Sequence, residues 1–263
     1  MSGSACVLIS TCDKFSDLGE EHITLLKKNW VGNPWQIYMV TDRPTDKHYD
    51  GVEIITADEN LNFPMRIKYA LNFIVADYVL LTLDDYFLIE NVYSDKLNYL
   101  AKRAENENID YLLLYDRRKA NPKKYEAVES LTPIDLNQKY AVNLYPAIWE
   151  KDFLKNSVND DLSPWLYEPT LTEYARKNKA KCFFNHSGSF VILDVVRKGK
   201  VLHKAQKYFK KNGIDIGQRP SISYSTEFKL AFMDAVSWYT PKLIFRIIKK
   251  AAKACGMKFY SEE

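Results

Sequence analysis

The sequence contains only four cysteines, Cys6, Cys12, Cys182 and Cys255, and none of them forms a C-x-x-C pair. That argues against a structural zinc site, which needs clustered thiolates or imidazoles. Cys6 and Cys12 bracket a short apolar segment and are expected to be reduced thiols of a cytosolic protein. No stretch approaches the roughly 18 apolar residues of a membrane span. The opening MSGSACVLIS lacks a charged region followed by a long apolar run, so a secretory signal is not expected. Strong charge is missing as well. The formal net charge is +3, without the dense basic stripe of a nucleic-acid binder. No linker, low-complexity tract or internal repeat cuts the chain.

What is present is ordinary globular material. The 263 residues are 46% apolar and 27% charged, against about 45–50% and about 25% for typical soluble domains. That length allows one large α/β domain or two small ones. We expect one domain over 1–240 and an appendage over 241–263, the first domain having halves of about 1–115 and 116–240. Ala5 to Ser10 reads as a buried strand, and Thr11 to Asp17 as a polar turn. Leu18 to Trp30 carries apolar residues near helical spacing. Trp35 to Thr41 and Gly51 to Thr56 read as strands, Phe63 to Val75 as a helix and Asp77 to Leu83 as a fourth strand. This alternation predicts an α/β fold whose sheet is mostly parallel and covered on both faces.

The later half is less regular. Val92 to Glu105 is expected to be helical and Ile109 to Leu114 a strand. The polar stretch Asp116 to Lys139 carries Arg117, Arg118, Lys119, Lys123 and Lys124. Ala147 to Ser157 and Leu166 to Asn178 read as helices, Ala180 to Phe184 and Phe190 to Leu193 as strands, and Gly199 to Lys211 as an amphipathic helix. From Pro241 onward Leu243, Ile244, Ile247, Ile248, Ala251 and Ala252 share one helical face. Lys242, Arg246, Lys249, Lys250 and Lys253 fill the other. Such a helix suits an anionic membrane surface, or docking on the core with its lysines outward.

The densest signal is DYVLLTLDDYFLIE, from Asp77 to Glu90. An apolar, β-favouring run ends in two adjacent carboxylates, Asp84 and Asp85, and an aromatic run follows at once. Carboxylates in apolar surroundings need a partner to offset their burial. A divalent cation carrying a diphosphate would serve, and the alternative is that both acids cap the following turn. Asp13 and Asp42 likewise follow predicted strands. Ligands of parallel sheets bind beyond the carboxyl ends of the strands, so all four acids fall where a site is expected.

These residues resemble the nucleotide-sugar glycosyltransferases of the GT-A fold, with the match nearest to family-2-like bacterial enzymes that build surface polysaccharides. The resemblance runs over most of residues 5 to 205. It is carried by CVLISTCDKF, WQIYMVTD, FPMRIKYAL, YVLLTLDDYFLI, LYPAIWEKDFL and SPWLYE. At the Phe63 helix Pro64 and Met65 stand where related chains often have Ser-Asp, while Arg66 is retained. The resemblance implies a GT-A-like (Rossmann-like) domain with a mixed, mostly parallel sheet. It implies transfer of a sugar, with inversion, from a nucleotide-diphosphate donor (UDP-linked by expectation) to a saccharide or lipid-linked saccharide. Mn²⁺ or Mg²⁺ would assist. No nucleic acid partner is implied. The basic C-terminal helix suggests a protein on the cytoplasmic face of the inner membrane.

The resemblance assigns roles. Asp85 would hold the metal and Asp84 would bond the donor's ribose or sugar hydroxyls, or the two could be exchanged. Thr11, Asp13, Asp42 and Arg66 would lie along the nucleotide, although Asp42 also suits a plain turn and Arg66 a helix surface. Glu168 would be the catalytic base, with Asp160 and Asp161 as runners-up and Trp165 stacked on the acceptor sugar. Trp149 reads as core. His186 and His203 are candidates for the metal or phosphate site, and Lys198 and Lys200 for phosphate. Two other readings stay open. A nucleotidyltransferase would use similar carboxylates, but it normally opens with a glycine-rich loop, whereas STCDKFSD has no glycine before Gly19. A binding protein without turnover would keep the fold alone.

Overall fold

The computed structural model describes residues 5–115, 130–158, 162–197, 199–217, 219–229 and 232. The chain divides into two compact units, Met1–Asp194 and Val195–Glu263. The expected boundary at 240 and the basic segment 241–263 lie outside the described residues, as do the cations of 117–124.

The first unit is built on an eight-stranded mixed sheet. Its strands are β1 (Ala5–Ser10), β2 (Ile37–Thr41), β3 (Val52–Thr56), β4 (Tyr78–Leu83), β6 (Tyr111–Leu113), β7 (Leu131–Pro133), β8 (Ala147–Glu150) and β9 (Cys182–Asn185). They lie in the order β3-β2-β1-β4-β8-β6-β9-β7. A separate antiparallel ribbon joins β5 (Tyr86–Leu88) to β10 (Ile192–Asp194). The helices are α1 (Gly19–Asn29), α2 (Phe63–Ala70), α3 (Ser94–Glu107), α4 (Lys151–Asn156) and α5 (Pro164–Lys177). All six residues of β1 are buried, because β1 lies between β2 and β4 with both faces covered. Alternation sends Cys6 and Leu8 into one core with Ile67, Leu71, Trp149 and Leu171. It sends Val7 and Ile9 into the other with Ile23, Leu26, Leu97 and Leu100. Each such buried aliphatic side chain is worth about 1.5–3 kcal/mol.

After β1 the chain steps outward to β2 and β3, then returns to the opposite side of β1 as β4. The sheet therefore has its switch point between β1 and β4, the position beyond the strand ends at which open α/β sheets bind their ligands. Their parallel register pairs Ser10 with Leu83, so the next residues, Thr11 and Asp84, leave the sheet side by side. In α2 the Asn62 side chain accepts from the Met65 amide and Pro64 opens the first turn, a cap worth about 1 kcal/mol. In α3 Leu97, Leu100, Ala101 and Ala104 form the buried stripe.

Several expectations are corrected. The polar turn after β1 is a 3-10 helix over Asp13–Leu18. The Phe63 helix ends at Ala70 rather than Val75. Ala147 to Ser157 is not one helix. Its first four residues are β8, paired antiparallel with both β4 and β6, and α4 begins only at Lys151. A short apolar run such as Ala147-Ile148-Trp149 fits a buried strand and a buried helix equally well. The Glu150 carboxylate, which accepts from the Asp152 and Phe153 amides, makes the change of state there. Trp149 is core, edge-on to Tyr111 with 4.5 Å between ring centres.

In the second unit β11 (Val196–Arg197) and β12 (Lys200–Val201) pair antiparallel. Gly199 turns between them at φ +73°. α6 (His203–Asn212) follows, with Ala205 and Phe209 buried and Gly213 ending it. Residues 224–229 are helical.

Candidate active site

Asp84 and Asp85 fill a two-residue turn between β4 and β5. Asp84 is 8% exposed. Burial of its charge is offset by the buried Thr11 hydroxyl, which donates to Oδ2 at 2.6 Å, the short range of a charge-assisted bond. Its amide donates to the Ser10 carbonyl at 3.2 Å. Its own carbonyl meets Nδ1 of His22, in α1, at 3.2 Å. That ring is 2% exposed and stands edge-on to Phe87. Burial pushes the His22 pKa from 6.5 down to about 4, and the bond to the Asp84 carbonyl opposes the drop only in part. The imidazole is therefore neutral at neutral pH, and with its proton on Nδ1 it donates to that carbonyl.

Beside the turn, β5 and β10 place Tyr86 opposite Asp194. Burial raises the Tyr86 phenol well above its usual 10, and Asp85, Tyr145, Asp194 and Glu168 raise it further. Tyr145 stacks on the Tyr86 ring at 5.5 Å. Carboxylates from the β4–β5 turn, the ribbon and α5 thus all raise one phenol. The helix of Glu168 does not open at Leu166, as the sequence pattern suggests, but at Pro164, and Glu168 stands in the second turn, with Oε1 accepting from the Leu144 amide at 3.0 Å.

A second cluster lies past β1 and β2. The Asp13 amide donates to Oδ1 of Asp42 at 2.6 Å, and Arg66 Nη1 lies 3.7 Å from its Oδ2. Arg66 also donates to the Leu61 carbonyl. Asp42 thereby ties the loop after β1 to α2. Cys12, half-buried between the clusters, has its thiol pKa raised by burial and then by Asp84 and Asp42. A small cavity of about 30 Å³ adjoins it, lined by Thr11, Asp13, Gly19, Arg43, Lys47 and Tyr49 among others. That is room for about two water molecules. Lys47 Nζ donates to the Ser16 carbonyl, and the Tyr49 hydroxyl comes so near Gly19 that a Cβ there would lie 2.5 Å from it.

The structure thus unites Thr11 with Asp84 and unites Asp13, Asp42 and Arg66, while Asp85 and Glu168 both act electrostatically on Tyr86. His186 is placed on another contact, its Nε2 2.8 Å from the Thr132 hydroxyl. His203 belongs to the second unit, where its Nδ1 pairs with Glu227. Asp160, Asp161, Lys198 and the Trp165 side chain lie outside the described residues, and Lys200 is exposed. Among the described residues no three or more of His, Cys, Asp and Glu gather as a metal site. The adjacent carboxylates of Asp84 and Asp85 still fit Mg²⁺ or Mn²⁺, which often takes one or two carboxylates and draws its other ligands from phosphate and water. The sequence reading missed His22, Arg43, Lys47, Tyr49, Tyr86 and Asp194.

No known family model and no curated protein matches the chain. Solved structures do. The mannosyltransferase PcManGT from Pyrobaculum calidifontis, in complex with GDP-Man and Mn²⁺, superposes with a TM-score of 0.51 at 12% identity, over 97% of this chain and 81% of that one. S. aureus TarS gives 0.47 at 16% identity, over 71% of this chain and 36% of TarS. TarS 1-349 in complex with UDP-GlcNAc gives 0.49 at 14% identity, over 75% and 60%. The chain therefore spans little more than a third of the TarS chain. The mixed, mostly parallel α/β sheet and the superposition over nearly its whole length show that this chain shares the fold of that mannosyltransferase. Among the described residues no helix is long and apolar enough to cross a membrane.

Proposed function

We propose that the protein is a metal-dependent glycosyltransferase of polysaccharide biosynthesis. It moves a sugar with inversion from a nucleotide-diphosphate donor, UDP-linked by the sequence reading, to a saccharide or lipid-linked saccharide. The observation that carries this reading is the β1/β4 register, which sets Thr11 and Asp84 side by side at the switch point with Asp85 next in line. The GDP-Man and Mn²⁺ bound by the mannosyltransferase of like fold support a nucleotide-sugar donor and a divalent cation.

A cation held at Asp85 would act as a Lewis acid on the departing phosphate oxygens. Thr11 and His22 orient Asp84 toward the donor's hydroxyls. Arg43, paired with Glu59, and Lys47 line the small cavity past β1 and lie near the proposed path of the nucleotide. Asp42 holds the Asp13 loop against Arg66 along the nucleotide. Glu168, oriented by the Leu144 amide, takes the proton of the acceptor hydroxyl as that oxygen bonds to the anomeric carbon. The bond from that carbon to the diphosphate breaks, and the diphosphate leaves with the electron pair. The basic segment 241–263 would hold the protein at the cytoplasmic membrane face, near a lipid-linked acceptor.

The test is a thermal-shift panel of nucleotide sugars with and without Mn²⁺, followed by turnover with the best donor. A ligand at a hundred times its Kd adds about 2.7 kcal/mol, which for a chain of this size raises Tm by about 5–10 °C. No shift from any nucleotide diphosphate with Mn²⁺ would overturn the reading. Binding without sugar transfer or nucleotidyl transfer would leave the binding-protein alternative standing.

A further inference from the structure

The net charge of +3 conceals a division of the chain. Val195–Glu263 carries 15 lysines and arginines against 5 acids, a net of +10, while Met1–Asp194 carries 22 against 29, a net of −7. Such asymmetry between parts of one chain points to a polyanionic partner for the basic part. The excess extends well beyond 241–263. In α6 Lys204, Lys207, Lys210 and Lys211 are all exposed, and the helix contains no acid.

A second observation selects the partner. Tyr224 and Phe228 stand four residues apart in the helical stretch 224–229 and are 74% and 72% exposed, and Phe232, four residues further along the sequence, is 57% exposed. Residues at that spacing share one helical face, so Tyr224 and Phe228 set two aromatic rings in a row in water, with Phe232 exposed as well. Scattered exposed apolar residues are ordinary, but a contiguous apolar row marks an interaction surface. This row adjoins the lysines. The Tyr224 ring stacks on His203, the first residue of α6, with centroids 3.7 Å apart and planes at 11°. Glu227 pairs with the same histidine, so the acid within the row is already engaged. Lys207, Lys210 and Lys211 follow His203 along its own face of α6, at the fourth, seventh and eighth positions.

We propose that the α6 lysines, Tyr224, Phe228 and Phe232 form a membrane-docking surface for an anionic bilayer. Tyr224, Phe228 and Phe232 would enter the boundary between headgroups and acyl chains, and the α6 lysines would lie on lipid phosphates. Aromatic rings beside lysines are the pattern of an interfacial helix. A bilayer rewards both parts of the surface, whereas a duplex nucleic acid backbone offers the phenylalanines no apolar phase. The inference extends the membrane reading of 241–263 to a separate set of residues, and it does not depend on catalysis.

The test is co-sedimentation of the full-length chain with vesicles of phosphatidylcholine alone and of phosphatidylcholine mixed with phosphatidylglycerol, in the absence of donor. One variant combines Lys207→Gln, Lys210→Gln and Lys211→Gln, a second Phe228→Ser and Phe232→Ser, and a third Lys249→Gln, Lys250→Gln and Lys253→Gln. Circular dichroism confirms that each stays folded. A cation near an anionic surface is worth roughly fivefold in partitioning, so the first variant should bind anionic vesicles on the order of a hundredfold more weakly. The second should also weaken binding. Vesicle binding unchanged in these two but lost in the third would overturn the inference and leave the reading of 241–263 intact. Loss of binding to a single-stranded oligonucleotide, with vesicle binding unchanged, would overturn it in favour of nucleic acid. Sugar transfer in solution reports separately on the catalytic reading.

Discussion

The neutral His22 gives the ligand-free protein a pH signature. In the unfolded chain the imidazole takes up a proton as pH falls through 6.5, whereas in the folded protein it stays neutral until about 4. Between those values the unfolded state binds more protons, so acidification favours unfolding. Stability from this source is full above pH 6.5, falls through the window and is lost below about 4. At about 1.36 kcal/mol per pH unit the whole drop is worth about 3 kcal/mol. His22→Asn removes the titrating ring and keeps a short amide donor that can reach toward the Asp84 carbonyl. The variant should be less stable than the wild type at pH 7, because it leaves space beside Phe87, but its stability should depend less on pH. The assay is urea unfolding of both proteins without metal or donor, at pH 7 and pH 4. Carboxylates elsewhere titrate alike in the two proteins, so their contribution cancels in the comparison. The wild type should lose about 3 kcal/mol more than the variant between the two pH values. Equal losses would refute the burial of a neutral imidazole beneath the Asp84 turn.

Other expectations follow from the same geometry. Thr11→Val removes the 2.6 Å bond to the buried Asp84 carboxylate and should cost about 1.5–3 kcal/mol by chemical denaturation. A cost near zero would mean that water replaces the hydroxyl. Asp85→Ala should abolish both sugar transfer and the Mn²⁺-dependent part of the thermal shift while leaving the ligand-free Tm close to wild type, and persistence of the metal effect would remove the metal assignment. Glu168→Gln should lower turnover by on the order of a hundredfold or more with donor affinity unchanged in a binding titration. An equal loss of donor affinity would move Glu168 to the donor side.

The parts of this molecule legible in its sequence are those where one short segment carries the whole signal. The strands ending at Ser10, Thr41 and Leu83 are apolar runs followed by acids, and the candidate site residues lie at those ends. The pairing of Thr11 with Asp84 also follows once β1 and β4 are neighbours, since a parallel ladder aligns their ends. Contributions from distant segments left no local trace. β8 reads as the start of a helix because three apolar residues have no usable period, and only its place between β4 and β6 decides its state. Asp194 gains meaning through its ladder partner Tyr86, more than a hundred residues earlier in the chain. His22 did leave a trace. It sits four residues before Leu26 on the buried side of α1, and a polar residue on an apolar stripe asks for a partner. Arg43, Lys47 and Tyr49 lie in an irregular loop, where side-chain direction follows from neighbours rather than from periodicity.

The turn holding Asp84 and Asp85 is also a spacer of fixed length. Along β5 the side chains alternate, so Phe87 meets His22 while Tyr86 meets Tyr145. One residue inserted after Asp85 would exchange those two directions, driving a phenol toward the imidazole and a bare ring toward the acids. The count of residues at this corner is therefore under the same constraint as their chemistry, and a chain that kept both aspartates but lengthened the corner would keep the letters of the motif without its geometry.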